Sequence, residues 1–148
     1  MKWNFISKIF DGAIGIERTY NDCDKALKEL GKYNERIEEM QENSEDINSI
    51  PESEKAALDE VVDYAIERAK KLLSKESERN WPGVFREMHK NLANMYFERG
   101  DYDKVPEECE QLRNYGEVGR QDAQEIMQKL QDKQAEKSGN AEEQVSSV

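Results

Sequence analysis

The chain holds few residues with catalytic chemistry, and their spacing sets sharp limits. His89 is the only histidine, and no Ser, Cys or carboxylate stands at a motif distance that would make it a general base. Cys23 and Cys109 lie far apart, each on an apolar helical stripe, which is the setting of buried free thiols rather than of a metal pair or a disulfide. There is no glycine-rich phosphate loop and no nucleophile elbow, and no carboxylate pair stands out from the general excess of acids. Neither a cofactor nor a metal is expected, and the sequence reads as non-enzymatic.

Charge remains, and it is unevenly spread. Over 148 residues the net charge is -11. Residues 35–60 carry ten acids against Arg36 and Lys55, whereas residues 67–90 carry seven bases and four acids. Arg68, Lys71, Lys75 and Arg79 approximate one basic stripe, expected to pair with the 35–60 acids or to be solvated. The overall sign excludes a nucleic-acid partner, which demands a cationic face.

The elements that must position these groups are helices. Only 36% of residues are apolar and 37% are charged, with Glu, Lys, Gln, Ala and Leu outnumbering β-branched types. The result is an all-α expectation of about five helices with wide solvated faces. Residues 1–15 form an amphipathic segment with Trp3, Ile6, Phe10 and Ile14 on its apolar docking face. That face has three possible uses: packing in the chain's own core, docking on a partner, or resting on a membrane. A membrane surface calls for basic flanks, and Lys2 and Lys8 are offset by Asp11. No cleavable leader or membrane span is legible, so a cytoplasmic location is the default.

Residues 16–137 read as one domain. Ile16, Tyr20, Cys23, Leu27, Leu30 and Ile37 mark a long helix to about residue 41, and the same stripe is a candidate intermolecular seam for a homo-oligomer. After the polar connection "ENSEDINS", Pro51 fits the first turn, with Ser49 and Glu52 or Ser53 as capping candidates, of a helix on Leu58, Val61, Val62, Ala65, Ala69, Leu72 and Leu73. Pro82 opens the next helix, Gly100 closes it, and Asp101 or Asp103 is expected to cap its successor, which Gly116 stops. A last helix covers 120–137, and the polar tail 138–148 lacks apolar periodicity and is expected to be disordered.

The tight turn in "NLANMYFERGDYDKV" makes residues 86–117 a helical hairpin. With Leu92, Ala93 and Tyr96 on its first helix and Val105, Cys109 and Leu112 on its second, it resembles a tetratricopeptide repeat, with residues 120–137 as a capping helix. His89 stands where that family favours Trp, and Glu117 replaces its usual Pro. The resemblance implies a protein–protein interaction module binding a peptide, a helix or a partner subunit. One branch of the family grips a C-terminal carboxylate with Lys and Asn one turn apart, and Lys90 and Asn94 match those positions, with Phe97 beside them. The implied site is a groove around Lys90, Asn94 and Phe97, although Glu125 stands where that clamp uses Asn.

Overall fold

The computed structural model describes the backbone of residues 2–146 and the side chains of residues 12–138. The fold is all-α, with five helices: α1 (Lys2–Glu42), α2 (Glu52–Lys75), α3 (Pro82–Arg99), α4 (Val105–Leu112) and α5 (Gly116–Ser146). Short 3-10 turns at Ile47–Ser49 and Tyr102–Lys104 sit in two of the connections.

Polar contacts fix the directions. Asp22 faces Arg68 at 3.6 Å and Arg36 holds Glu54 at 2.7 Å, so α2 runs back along α1. Arg99 reaches Asp63 while Lys70 lies 5.9 Å from the Tyr96 ring centre, so α3 runs back along α2. His89 meets Glu108 and Phe97 meets Tyr102, which makes α3 and α4 antiparallel. Lys90 meets Asp122 and Asn94 meets Lys129, which makes α5 parallel to α3. The helices α1, α3 and α5 therefore point one way, and α2 and α4 the other.

One apolar core joins all five, with Ile16, Cys23 and Leu30 from α1, Val62 and Leu72 from α2, Met88 and Leu92 from α3, Cys109 and Leu112 from α4, and Ala123, Ile126 and Leu130 from α5. Burying one of the larger of these, such as Leu30 or Met88, contributes about 1.5–3 kcal/mol. The α1 stripe that could have formed an intermolecular seam is thus largely used within the chain.

Several local expectations change. No boundary falls at residue 15, because α1 is one helix of 41 residues. Gly12 and Gly15 weaken it by about 1 kcal/mol each without breaking it, since neither is needed for a turn. Ser49 does not cap α2: its hydroxyl donates to the Asp46 carbonyl oxygen at 2.6 Å, and Pro51 takes the capping position with no side-chain bond. Neither does Asp101 or Asp103 cap α4, which starts behind Lys104. The Asp101 carboxylate instead accepts from Arg99 Nε at 2.9 Å.

Gly100 behaves as expected, with φ 90° in the left-handed region and the Asp101 N–H returning to the Tyr96 carbonyl oxygen at 2.8 Å. The helix α4 stops at Leu112, and Gly116, at φ 69°, opens α5 four residues ahead of the expected start. The helix α5 also continues to Ser146, past residue 138, where a disordered tail was expected. Among the described residues Leu130 is the last buried residue of the core, and Glu, Lys, Gln and Ala, strong helix formers, carry the backbone on.

Candidate functional site

Two open grooves stand out among the described residues. The first, of about 530 Å³, runs between α3 and α5 and is lined by Lys90 and Asn94 from one side and Asp122, Glu125 and Lys129 from the other. The parallel run of α3 and α5 brings these groups together. Lys90 Nζ lies 3.4 Å from Asp122 Oδ1, and Lys129 Nζ donates to Asn94 Oδ1 at 3.5 Å. The same ammonium sits 5.1 Å from the centre of the Phe97 ring, a cation–π distance, and Phe97 packs on Tyr102 at 5.7 Å between centroids.

The three residues singled out in the sequence, Lys90, Asn94 and Phe97, therefore meet in one place, but not as a free carboxylate clamp. Asp122, with only 13% of its side chain exposed, already occupies the Lys90 ammonium. Lys90 and Lys129 face Asp122 and Glu125, so the groove is near neutral and presents both signs. Sequence reasoning passed over Asp122 and Lys129. Their separation of seven residues puts them on one helical face, but only the packing of α5 on α3 shows what that face meets.

The second groove, of about 690 Å³, lies between the start of α1 and the end of α2, with Arg18, Arg68, Lys71 and Lys75 on its walls. The expected pairing of the basic stripe with the 35–60 acids is not made. Antiparallel packing sends the acids to the far end of the first hairpin, and Arg68 faces Asp22 instead. Arg79 lies beyond the end of α2 and does not line the groove. Of the N-terminal docking residues, Ile14 lines this groove and is 37% exposed. Trp3, Ile6 and Phe10 lie outside the residues whose side chains are described.

A third cluster surrounds His89. Its Nδ1 is 2.7 Å from Glu108 Oε2, with the two side chains 13% and 14% exposed. The Tyr115 ring stands 6.1 Å away, and its hydroxyl donates to Glu78 at 2.7 Å. Burial, helped by the Glu78 carboxylate, raises the Tyr115 pKa. Neither His89 nor Glu108 lines either groove, so the pair ties α3 to α4. Glu108→Ala leaves the imidazole without its partner and is expected to cost about 1–3 kcal/mol in urea unfolding. Glu108→Gln, which keeps a hydrogen-bonding group, is expected to cost less. Equal stability of all three proteins would show the contact to be idle.

Burial lifts both thiols, Cys23 to about 12 and Cys109 to about 11, so neither is a nucleophile at neutral pH. Among the described residues no three His, Cys, Asp or Glu side chains gather in an arrangement that could hold a metal ion. No helix of the described residues is long and apolar enough to cross a membrane. No protein-family model matches the chain, and no curated protein or solved structure is significantly similar to it.

Proposed function

We propose that the chain is a non-enzymatic interaction module, tetratricopeptide-like in its second half, that holds a segment of a partner protein in the groove between α3 and α5. The observation that carries this reading is the groove itself: an open channel of about 530 Å³ in which Lys90 of α3 faces Asp122, Glu125 and Lys129 of α5, with the Phe97 ring beneath the Lys129 ammonium. The alternation of α1, α3 and α5 against α2 and α4 is the arrangement stacked helical hairpins adopt, which supports the family likeness. Chemical recognition would come from charge matching along a peptide or helix rather than from one terminal carboxylate, because Asp122 already offsets Lys90.

Lys129 is the residue to change. It is exposed, and its ammonium serves both Asn94 and Phe97. Capture from a lysate of the source cell, followed by titration of the captured partner, should show Lys129→Glu binding at least about tenfold more weakly, with thermal stability unchanged. Such a loss is typical of one reversed charge in a partly desolvated interface. A partner that binds wild type and Lys129→Glu equally would remove the groove from consideration, and failure to capture any partner would remove the function.

A further inference from the structure

The groove between α1 and α2 has a different character from the one on α3 and α5. Arg18, Arg68, Lys71 and Lys75 line it, and Glu76 is the single carboxylate among its lining residues. Its floor is low because Gly12 and Gly15 carry no side chain. A Cβ at Gly15 would meet nothing within 4 Å, and the nearest group to one at Gly12 would be the Glu76 carboxylate, at 3.3 Å. Arg68 is partly answered by Asp22 at 3.6 Å, and Arg18, Lys71 and Lys75 face open space in a protein whose net charge is -11.

Two further facts bear on what fills that space. Gly12 stands level with Glu76, the residue that caps the end of α2, so the backbone of α1 before Gly12 continues beyond the last turn of the helix that pairs with it. Ile14, exposed and lining the groove, closes the sequence stripe Trp3, Ile6, Phe10 and Ile14. A cationic cleft therefore lies beside Ile14, at the inner end of the amphipathic stretch that the sequence places at the start of α1. Most acids of residues 35–60 sit toward the other end of the hairpin, about 42 Å away for the 28 residues from Gly12 to Met40, and the nearest on α2, Glu60, is about 22 Å from Lys75. That is more than two screening lengths at physiological salt, so they do little to neutralise the outer end of the groove.

We infer that this end of the molecule docks on an anionic phospholipid surface, the groove receiving lipid headgroup phosphates and the start of α1 lying along the interface. The choice of a lipid surface over a soluble acidic peptide rests on the apolar stripe. An acidic peptide satisfies the cations and leaves the stripe without a use, whereas a membrane interface takes apolar area and charge together, and stable peripheral attachment needs two such signals. In the sequence the amphipathic segment carries only Lys2 and Lys8 against Asp11; the fold adds Arg18, Arg68, Lys71 and Lys75 to the same end, against Glu76 and the Asp22 that faces Arg68. This inference does not depend on the α3–α5 groove.

Flotation of the full chain with phosphatidylcholine vesicles, with and without phosphatidylserine, tests it. Binding is expected only with phosphatidylserine. Lys71→Gln with Lys75→Gln should weaken it about thirtyfold, from the worth of two cations near an anionic surface, and Ile14→Ser should weaken it further. Lys55→Gln with Lys133→Gln, which removes two cations far from the groove, should leave binding unchanged, as should Lys129→Glu, which separates this site from the one on α3 and α5. Circular dichroism of each variant checks that the fold is intact. No binding to either vesicle would overturn the inference, as would equal binding to both or equal losses from the distant pair. Soluble glycerophosphoserine that binds the groove as tightly as vesicles do would also overturn it, by showing a site for a free anion. Phosphatidylserine-dependent flotation that Ile14→Ser leaves intact would show the apolar stripe to be idle and would equally end it.

Discussion

Between pH 9 and 12 the protein is expected to lose most of its stability, with the two thiols as a leading cause. Burial raises Cys23 from 9.0 to about 12 and Cys109 from 9.0 to about 11, with neighbouring acids adding to the shift of Cys23. Below the ordinary value both the folded and the unfolded chain hold the protons, and nothing changes. Above it the unfolded thiols ionise while the buried ones stay protonated. The folded state then binds more protons than the unfolded state, so stability falls as pH rises. The full loss is about 4 kcal/mol for Cys23 and about 3 kcal/mol for Cys109, at 1.36 kcal/mol for each tenfold change. Their sum is comparable with the whole stability of a typical domain.

The measurement is the urea midpoint followed from neutral pH to the unfolding limit, for wild type and for Cys23→Ala with Cys109→Ala. The double variant starts lower because it leaves cavities, but its midpoint should decline much less steeply above pH 9. Some slope should remain, because Tyr20 and Tyr115 are also raised by burial and act in the same direction above 10.0. An identical slope in the two proteins would show that the thiols are not the cause. Iodoacetamide gives a second readout: both thiols should be inert in the native state at neutral pH and react once urea unfolds the chain.

Gly119→Ala should destabilise the protein strongly, against the usual sign of that exchange. In an open helix, replacing Gly by Ala gains about 1 kcal/mol. At Gly119 an added Cβ would run into the carbonyl oxygen of Leu112 and come within 2.9 Å of Tyr115 Cβ. The first of these is backbone and cannot rotate away. The start of α5 would have to move off the end of α4, disturbing the contacts among Leu112, Ala123 and Ile126 that hold the two helices together.

A cost of about 3 kcal/mol is at the upper end of ordinary overpacking, which for a domain of this size lowers Tm by on the order of 10 °C. Gly31→Ala is the internal comparison. It lies within α1, and its added Cβ meets nothing within 4 Å, so Tm should rise slightly. If both variants rise together, the close approach at Gly119 is not a constraint on the fold.

What the sequence determined by itself were the features carried by local periodicity and by residues with special backbone preferences. The helical spacing of Val62, Ala65, Ala69 and Leu72, and of Leu92, Ala93 and Tyr96, located α2 and α3 and their buried faces. Pro82 and Gly100 bounded α3 because one lacks an N–H and the other tolerates positive φ. Cys23 and Cys109 were legible as buried thiols for the same reason of periodicity. Single caps were not legible, because several Ser and Asp residues compete for each helix start and small differences in approach decide among them. The Leu112 contact that makes Gly119 obligatory was invisible too, since it depends on how sharply the chain turns after α4.

Everything that depends on which faces meet was left to the tertiary structure. Lys90 and Asn94 could be placed one turn apart from sequence alone, but the parallel docking of α5 decided that Asp122 answers Lys90 and Lys129 answers Asn94. His89 appeared isolated until the α3–α4 hairpin brought Glu108 across from 19 residues away. The same holds for charge. Acidic and basic segments close in sequence looked able to neutralise each other, and the antiparallel run of α1 and α2 instead drew them to opposite ends of a long hairpin. Distance in sequence sets the cost of closing a loop, whereas helix direction sets which charges can touch, and that direction emerges only when five amphipathic faces share one core.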